Sequence, residues 1–281
     1  MNISQKVVEL SQGRIHYKEF GSEHAPTILF VHGLLANSLL WQDVAKGLSQ
    51  DFRCLTPDWP LGSHLEPMKP NADVSPFGMV QIILDFLDHL NLKKVILVGN
   101  NSGGALAQMM VATHPERIEK LILTSCDAYE IWLPGKFKSS EIAAFIPGGL
   151  LLTANLIKYP IFRHTSYVFG GLSKYMSIEI SDSFALPLSS SAGLRRDYGK
   201  FLRTLSPKLT LEASKHFDKF HKPVLIAWSS EDRFFPIENA NKLHQQFNDS
   251  KLVFIDDAYT FSAIDNPDQL TNEIRTFLQG S

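Results

Sequence analysis

Val98-Gly99-Asn100-Asn101-Ser102-Gly103-Gly104-Ala105 is the stretch that decides the reading of this chain. It begins at the end of an apolar run, residues 95–98 (VILV), and opens a helix-like segment, residues 103–113, that stops at His114-Pro115. Glycines at 99 and 103 bracket Asn101. A strand that turns at once into a helix needs small residues there, because the turn is tight, its central residue is strained, and helix and strand pass close together. Such a corner lifts one side chain, here Asn101, to the carboxyl end of a sheet. It also leaves unpaired backbone N–H groups at a helix N-terminus, suited to an oxyanion.

Further apolar runs flank this corner at residues 27–31 (TILFV), 52–56 and 120–124 (KLILT). Strands apolar on both faces belong in the middle of a helix-covered parallel sheet. Met79, Val80, Ile83, Phe86, Leu87 and Leu90 recur at spacings of three and four, the stripe of an amphipathic helix. The alternation predicts right-handed βαβ crossovers and an α/β fold with a doubly wound, mostly parallel sheet. Residues 126–218 break the pattern. They are rich in Ser, Gly, Pro and aromatic residues and hold no clear apolar strand, which predicts short helices and loops. Sheet-like runs resume at 223–228 (PVLIAW) and 251–255 (KLVFI), and 272–278 reads as a closing helix. The expected organisation is a core of residues 1–125 and 219–281 with a helical cap, 126–218, over the carboxyl edge of the sheet, where open α/β sheets bind ligands.

Composition narrows the function. In 281 residues, 44% hydrophobic content supports a sizeable core, and 27 Lys+Arg against 29 Asp+Glu leaves no basic excess for a phosphate backbone. Nucleic acid is therefore not an expected partner. The opening MNISQKVVELSQG has no apolar leader region, so no secretory signal is expected. The most apolar tract, 142–161, is interrupted by Pro147, Gly148, Gly149, Asn155, Lys158 and Pro160, so no span and no membrane partner is expected. Cys54 and Cys126 make neither a disulfide framework nor a zinc site. With no nucleotide-cradle motif and no metal-ligand spacing, no cofactor and no metal are expected. The composition suits a cytoplasmic protein that takes a small, uncharged molecule. Oligomeric state is open.

The corner and its neighbours resemble the α/β-hydrolase superfamily, and most of all the branch of haloalkane dehalogenases and soluble epoxide hydrolases, whose elbow residue is Asp. The supporting residues are His32-Gly33 after one strand and Asp58-Trp-Pro-Leu-Gly after the next. Asp232-Arg-Phe-Phe-Pro236 follows the PVLIAW strand, and Asp257-Ala-Tyr-Thr-Phe261 with Asn266-Pro267 follows the last. They cover both core segments in the superfamily's order. The cap matches no named pattern. The resemblance implies a nucleophile at Asn101, an acid at Asp232 and a histidine slot at Thr260. It also implies a loop at Gly33 and Leu34 whose Leu34 N–H, with that of Ser102, serves the oxyanion.

Two of those three positions depart from the pattern. In the branch, an Asp attacks to give an ester and a His-activated water releases it. Asn101 is a neutral, poor nucleophile, and the Thr260 hydroxyl accepts no proton near pH 7. Asn101 is open to three accounts: an introduced Asp→Asn exchange that traps substrate, a natural loss that leaves a binding protein or a different reaction, or deamidation to aspartate. Among ten histidines, His32 reads as structural, and His64, on the loop after the fourth strand, is the candidate replacement base. His164 is a weaker one. Ser102 reads as structural. Asp127, past the KLILT strand, stands where some relatives place a catalytic acid, or else caps a helix. Trp41, Trp59, Trp132, Phe145, Phe162 and Phe169 either line an apolar pocket or pack in the core. Ser102 stands where dehalogenases commonly carry a halide-binding Trp, which weakens that activity. Three functions stay open: a hydrolase of small, largely apolar molecules, a non-catalytic small-molecule binder, and a cofactor-free lyase or isomerase.

Overall fold

The computed structural model describes residues 3–280, apart from the side chain at position 136. β1 (Ile3–Glu9) and β2 (Arg14–Phe20) form an antiparallel hairpin. β3 (Thr27–Val31), α1 (Gln42–Leu48), β4 (Arg53–Pro57), α2 (Pro76–His89), β5 (Val95–Asn101), α3 (Ser102–Thr113) and β6 (Ile118–Cys126) then alternate. After a long insertion come β7 (Val224–Ser229), α11 (Ile237–Gln246), β8 (Ser250–Ile255), α12 (Ser262–Asp265) and α13 (Pro267–Gln279). The eight strands make one sheet in the order β1-β2-β4-β3-β5-β6-β7-β8, and every pairing from β4 to β8 is parallel. This is the α/β-hydrolase fold, and the doubly wound sheet expected from the alternating runs.

The reason is legible in burial. β5 and β7 are buried at every residue and β3 at all but its first, as strands covered by helices on both faces must be. Ile28, Leu29, Phe30 and Val31 are fully buried, and each such side chain contributes about 1.5–3 kcal/mol by leaving water. α2 starts where Ser75 accepts the Gly78 N–H and Pro76 takes the first turn, and it buries the expected stripe of Met79, Val80, Ile83, Phe86 and Leu87. α3 is buried from Ser102 to Val111, on all sides, because it sits under the insertion and against β3. It lies so close that a Cβ on Gly103 would collide with the carbonyl of Val31.

Several elements differ from expectation. The β1–β2 hairpin has no apolar run to announce it, since only Val8 of β1 is buried. α1 is too short to show a clear stripe. The closing helix starts at Pro267 rather than residue 272, because Asn266 caps it by accepting the Gln269 N–H.

Between β6 and β7 lie α4 (Lys138–Phe145), α5 (Gly149–Ile157), α6 (Pro160–Arg163), α7 (Phe169–Leu172), α8 (Ile178–Ser190), α9 (Ala192–Leu202) and α10 (Pro207–Ser214), with no strand among the described residues. Parallel β6 and β7 both end at the sheet's carboxyl edge, so the insertion leaves from that edge. No helix among the described residues is long and apolar enough to cross a membrane.

Candidate active site

The strand–helix corner forms as its glycines require. Asn101 ends β5 with φ 53° and ψ −131°, a strained conformation for a residue with a side chain, held by packing around it. Gly33 lies directly against it, and a Cβ there would collide with the Asn101 side chain. Asn101 Oδ1 accepts the Ser102 N–H at 2.7 Å and so caps α3. That bond fixes which amide atom is oxygen, because a backbone N–H needs an acceptor. It leaves the Asn101 amide nitrogen without a protein acceptor among the described residues, on a side chain that lines a cavity beneath the insertion. It also consumes the Ser102 N–H, so the expected donation of that group to an oxyanion is absent from this arrangement. Leu34 reaches the cavity wall as expected.

Asp127, one residue past β6, lines the same cavity. Its Oδ2 accepts the Ser102 hydroxyl at 2.9 Å and its Oδ1 accepts the Leu133 N–H at 2.8 Å. It is therefore not a helix cap. Ser102 is fully buried and does not line the cavity, and its hydroxyl is turned to Asp127. Burial, with the neighbouring Asp232 charge, pushes the Asp127 carboxyl up to about 7, and the two hydrogen bonds hold it back from rising further. A carboxyl that changes protonation near neutral pH inside an apolar cavity is a candidate for proton transfer.

Asp232 and Thr260 come together, yet behind the cavity wall. Asp232 Oδ1 accepts the Phe234 and Phe235 N–H groups at 2.8 Å each and the Thr260 hydroxyl at 3.2 Å. Its Oδ2 is buried, and burial raises its carboxyl above the usual range, against the hydrogen bonds from Phe235, Phe234, Ser125 and Thr260 that pull it down. Asn100 joins this loop to the corner, donating to Thr124 Oγ1, the Ser125 carbonyl and the Thr260 carbonyl at 2.9, 3.1 and 2.9 Å. Neither Asp232 nor Thr260 lines the cavity. Asn100 was not singled out from sequence, although an Asn at the end of a buried strand needs such partners.

The histidines take no part in the cavity wall. His32 Nε2 accepts the Trp59 N–H at 2.8 Å, so its proton is on Nδ1 and is donated to the Gly33 carbonyl at 2.8 Å. Complete burial lowers its pKa to about 4 and keeps it neutral. With the Ser38 N–H on Asp58 at 2.7 Å, it bolts the loop after β3 to the loop after β4. His64, the expected base, is buried elsewhere: its Nε2 is 3.4 Å from Asp197 on α9, and it does not reach the cavity. The loop turns it toward α9, because Ser63 is tied to the Phe184 carbonyl and Met68 to Asp197. His164 bonds Ser181. Trp41, expected at the pocket, packs on Phe30 beneath the sheet's carboxyl edge. Of the candidate aromatics, Phe162 and Phe169 line the cavity, while Trp41, Trp59, Trp132 and Phe145 do not.

The cavity measures about 330 Å³. Most of its wall is apolar and comes from the insertion, notably Phe137, Leu156, Val168 and Leu172, with the Tyr198–Ser140 hydroxyl pair at one side. Sequence gave no sign of these residues, since which insertion side chains turn inward depends on how its helices pack. No group of three or more His, Cys, Asp or Glu residues able to hold a metal occurs among the described residues.

Corner, sheet order and covered cavity together define a protein of the α/β-hydrolase fold, and a family model described as alpha/beta hydrolase fold matches residues 26–164. The chain is 25% identical over 275 residues to haloalkane dehalogenase 2 of Mycobacterium tuberculosis, covering 94% of this chain and 91% of that one. It is 22% identical to an uncharacterised hydrolase of Bacillus subtilis, covering 94% of each. Among solved structures, an ancestral haloalkane dehalogenase superposes with a TM-score of 0.81 at 19% identity, covering 98% of both chains.

Proposed function

We propose that this protein hydrolyses small, uncharged, largely apolar molecules in one step, with Asp127 as the proton-transfer group and Asn101 as the hydrogen-bond donor to substrate. The observation that carries this reading is the pairing of these two groups in one apolar cavity that no histidine lines. The two-step ester route has no support: Asn101 is a neutral amide, the Ser102 hydroxyl is buried against Asp127, and the histidine slot holds Thr260. On this reading residues 126–218 act as the cap over core segments 1–125 and 219–281.

The step balances simply. Ionised Asp127 takes a proton from a water as the water oxygen bonds to the electrophilic carbon. The breaking bond's electrons go to the leaving group, which receives that proton back from Asp127. The Asn101 amide N–H steadies the oxygen on which charge gathers. A carboxyl near pH 7 suits both halves, because it gives and takes a proton without a large penalty. A second reading, a cofactor-free isomerase or lyase, uses the same pair to move a proton from carbon. The mostly apolar wall favours it, since few groups there hold a hydrolytic water.

The test is a panel of esters, epoxides and haloalkanes run in ¹⁸O-water, with ketones followed for deuterium exchange, on the protein and on Asp127→Asn. Turnover in the first and its loss in the second supports the reading. Saturable binding without turnover on any member leaves a binding protein and removes it. Incorporated ¹⁸O decides for hydrolysis, and exchange alone decides for isomerase or lyase.

A further inference from the structure

The insertion wears its apolar residues outside. Phe145, Ile146, Leu152, Leu156, Ile161 and Phe162 are all exposed, Ile161 at 78% and Leu152 at 63%, and all fall on α4 to α6 and their junctions. Leu151, Leu152, Leu156 and Tyr159 make a continuous outward stripe along α5 and its C-terminal turn, at helical spacing. A soluble surface does not ordinarily gather so many large apolar side chains in one place.

Charge along this face is predominantly positive, although α4 carries the carboxylate of Glu141. Between Glu141 and Glu179 the sequence contains no carboxylate, but it contains Lys158, Arg163 and Lys174. Arg163 is buried against Asp182, and Lys174 pairs with Glu231 and Asp257. Lys158 has no carboxylate partner among the described residues. Nor do Arg195 and Arg203, which flank an open groove of about 470 Å³ whose apolar side is Phe145, Ile146 and Leu151. An apolar stripe rimmed by cations that no carboxylate neutralises is the pattern that lies in the interface of an anionic bilayer, apolar side chains among the acyl chains and cations at the headgroups.

The face is also continuous with the cavity. Leu156, Phe162 and Tyr167 are exposed on the outside and line the cavity within. An apolar molecule dissolved in a bilayer would pass between them without crossing water.

We infer that the α4–α6 face docks on an anionic lipid surface and admits apolar molecules from it to the cavity. The docking stands on the surface alone, and the delivery of a reactive substrate rests on the function proposed above. This revises the sequence expectation of no membrane partner, for peripheral contact only. The apolar residues of 142–161 look like core in sequence, and only the packing shows which face outward.

The test is co-sedimentation of the full chain with vesicles of phosphatidylcholine alone and of phosphatidylcholine mixed with phosphatidylglycerol, at low and high salt. The expected result is binding to the mixed vesicles that weakens with salt and drops tenfold or more in the double variant Leu152→Glu, Ile161→Glu. Neither residue lines the cavity, so turnover of a water-soluble substrate is unchanged in that variant. Lys158→Glu with Arg203→Glu lowers the preference for phosphatidylglycerol. No binding at low salt overturns the inference, as does binding that the double variant leaves intact. A concentration-dependent dimer that the double variant dissolves, without vesicle binding, overturns it in favour of a second copy as occupant. Vesicle binding by a protein with no turnover on any substrate leaves the docking in place and removes the hydrolytic reading instead.

Discussion

Two carboxylates stand at the carboxyl edge of the sheet, Asp127 after β6 and Asp232 after β7, and they are built for different work. Both are buried and both are pushed above the usual carboxylate range. Asp232 spends Oδ1 on two backbone N–H groups of its own turn and on Thr260. It is a loop clamp. Asp127 accepts one backbone N–H and one hydroxyl, and faces the cavity. The lesson is that a position in the fold's order does not assign a role. The sequence resemblance puts the acid at Asp232, but with Thr260 in the histidine slot there is no ring for it to orient, and the carboxyl that lines the cavity is the other one.

The sharpest way to break this contrast is to exchange each carboxylate for its amide. Asp127→Asn removes the proposed proton-transfer group while keeping its size, and turnover is expected to fall by about 10²–10⁴-fold, the usual worth of a positioned acid or base. Asp232→Asn keeps the acceptor for its turn and is expected to retain turnover within a few fold. Equal losses in the two variants, measured as kcat on one substrate, would erase the distinction.

The same carboxyl leaves a mark on stability. The Asp127 pKa is about 7 in the folded protein and about 3.9 in the unfolded chain, so the unfolded chain loses this proton first as pH rises. Its contribution to stability is complete below about pH 4 and is lost as pH rises through about 7, at up to about 1.4 kcal/mol per pH unit in that window. His32 works in the opposite sense: its folded pKa of about 4 lies below the unfolded value of about 6.5, so stability falls as pH drops through that interval. The expected result is that the Tm advantage of Asp127→Asn over the natural chain grows between pH 5 and pH 8. A constant difference across that range would mean that Asp127 is ionised throughout.

Much of this was written in the sequence, for a physical reason. Buried parallel strands must be apolar on both faces, so β3, β5, β6 and β7 announced themselves. A strand-to-helix corner needs glycine where backbones touch, so Asn101 was found. His32 read as structural and Asp58 stood among the residues of the resemblance, while the buried hydrogen bonds by which they bolt two loops together appear only in the structure. What could not be read was direction. His64 sits on a loop at the rim, and nothing local says that Ser63 and Met68 tie that loop so the ring turns to α9. The cavity wall from Phe137 to Tyr198, and the outward stripe on α5, depend on how short helices pack against one another, and apolar residues at helical spacing look alike whether they face in or out.

A smaller effect separates the two carboxylates on the stability side. Asp232→Ala strips the acceptor from the Phe234 and Phe235 N–H groups, both turned into a buried corner, and a buried donor left unpaired costs about 1–3 kcal/mol. Chemical denaturation is expected to show a loss of about that size for Asp232→Ala and a much smaller one for Asp232→Asn. A similar loss in both would mean that the charge, not the hydrogen bonding, is what the turn needs.

The smallest expected effect belongs to His64. Its ring is buried beside Asp197, yet the two are 3.4 Å apart, Asp197 already accepts the Met68 N–H and the Arg196 guanidinium, and His64 Nδ1 has no partner among the described residues. The ring thus fills space at some electrostatic cost. His64→Phe conserves the volume, removes the unpaired nitrogen, and leaves the Asp197 contacts to the loop in place. Stability is expected to change by less than about 1.5 kcal/mol, the usual range for volume-conserving core exchanges. Because the ring does not reach the cavity, kcat and its pH profile are expected to be those of the natural chain, with the inflection near the Asp127 value. A fall in kcat with unchanged stability would return the proton to His64 and take it from Asp127.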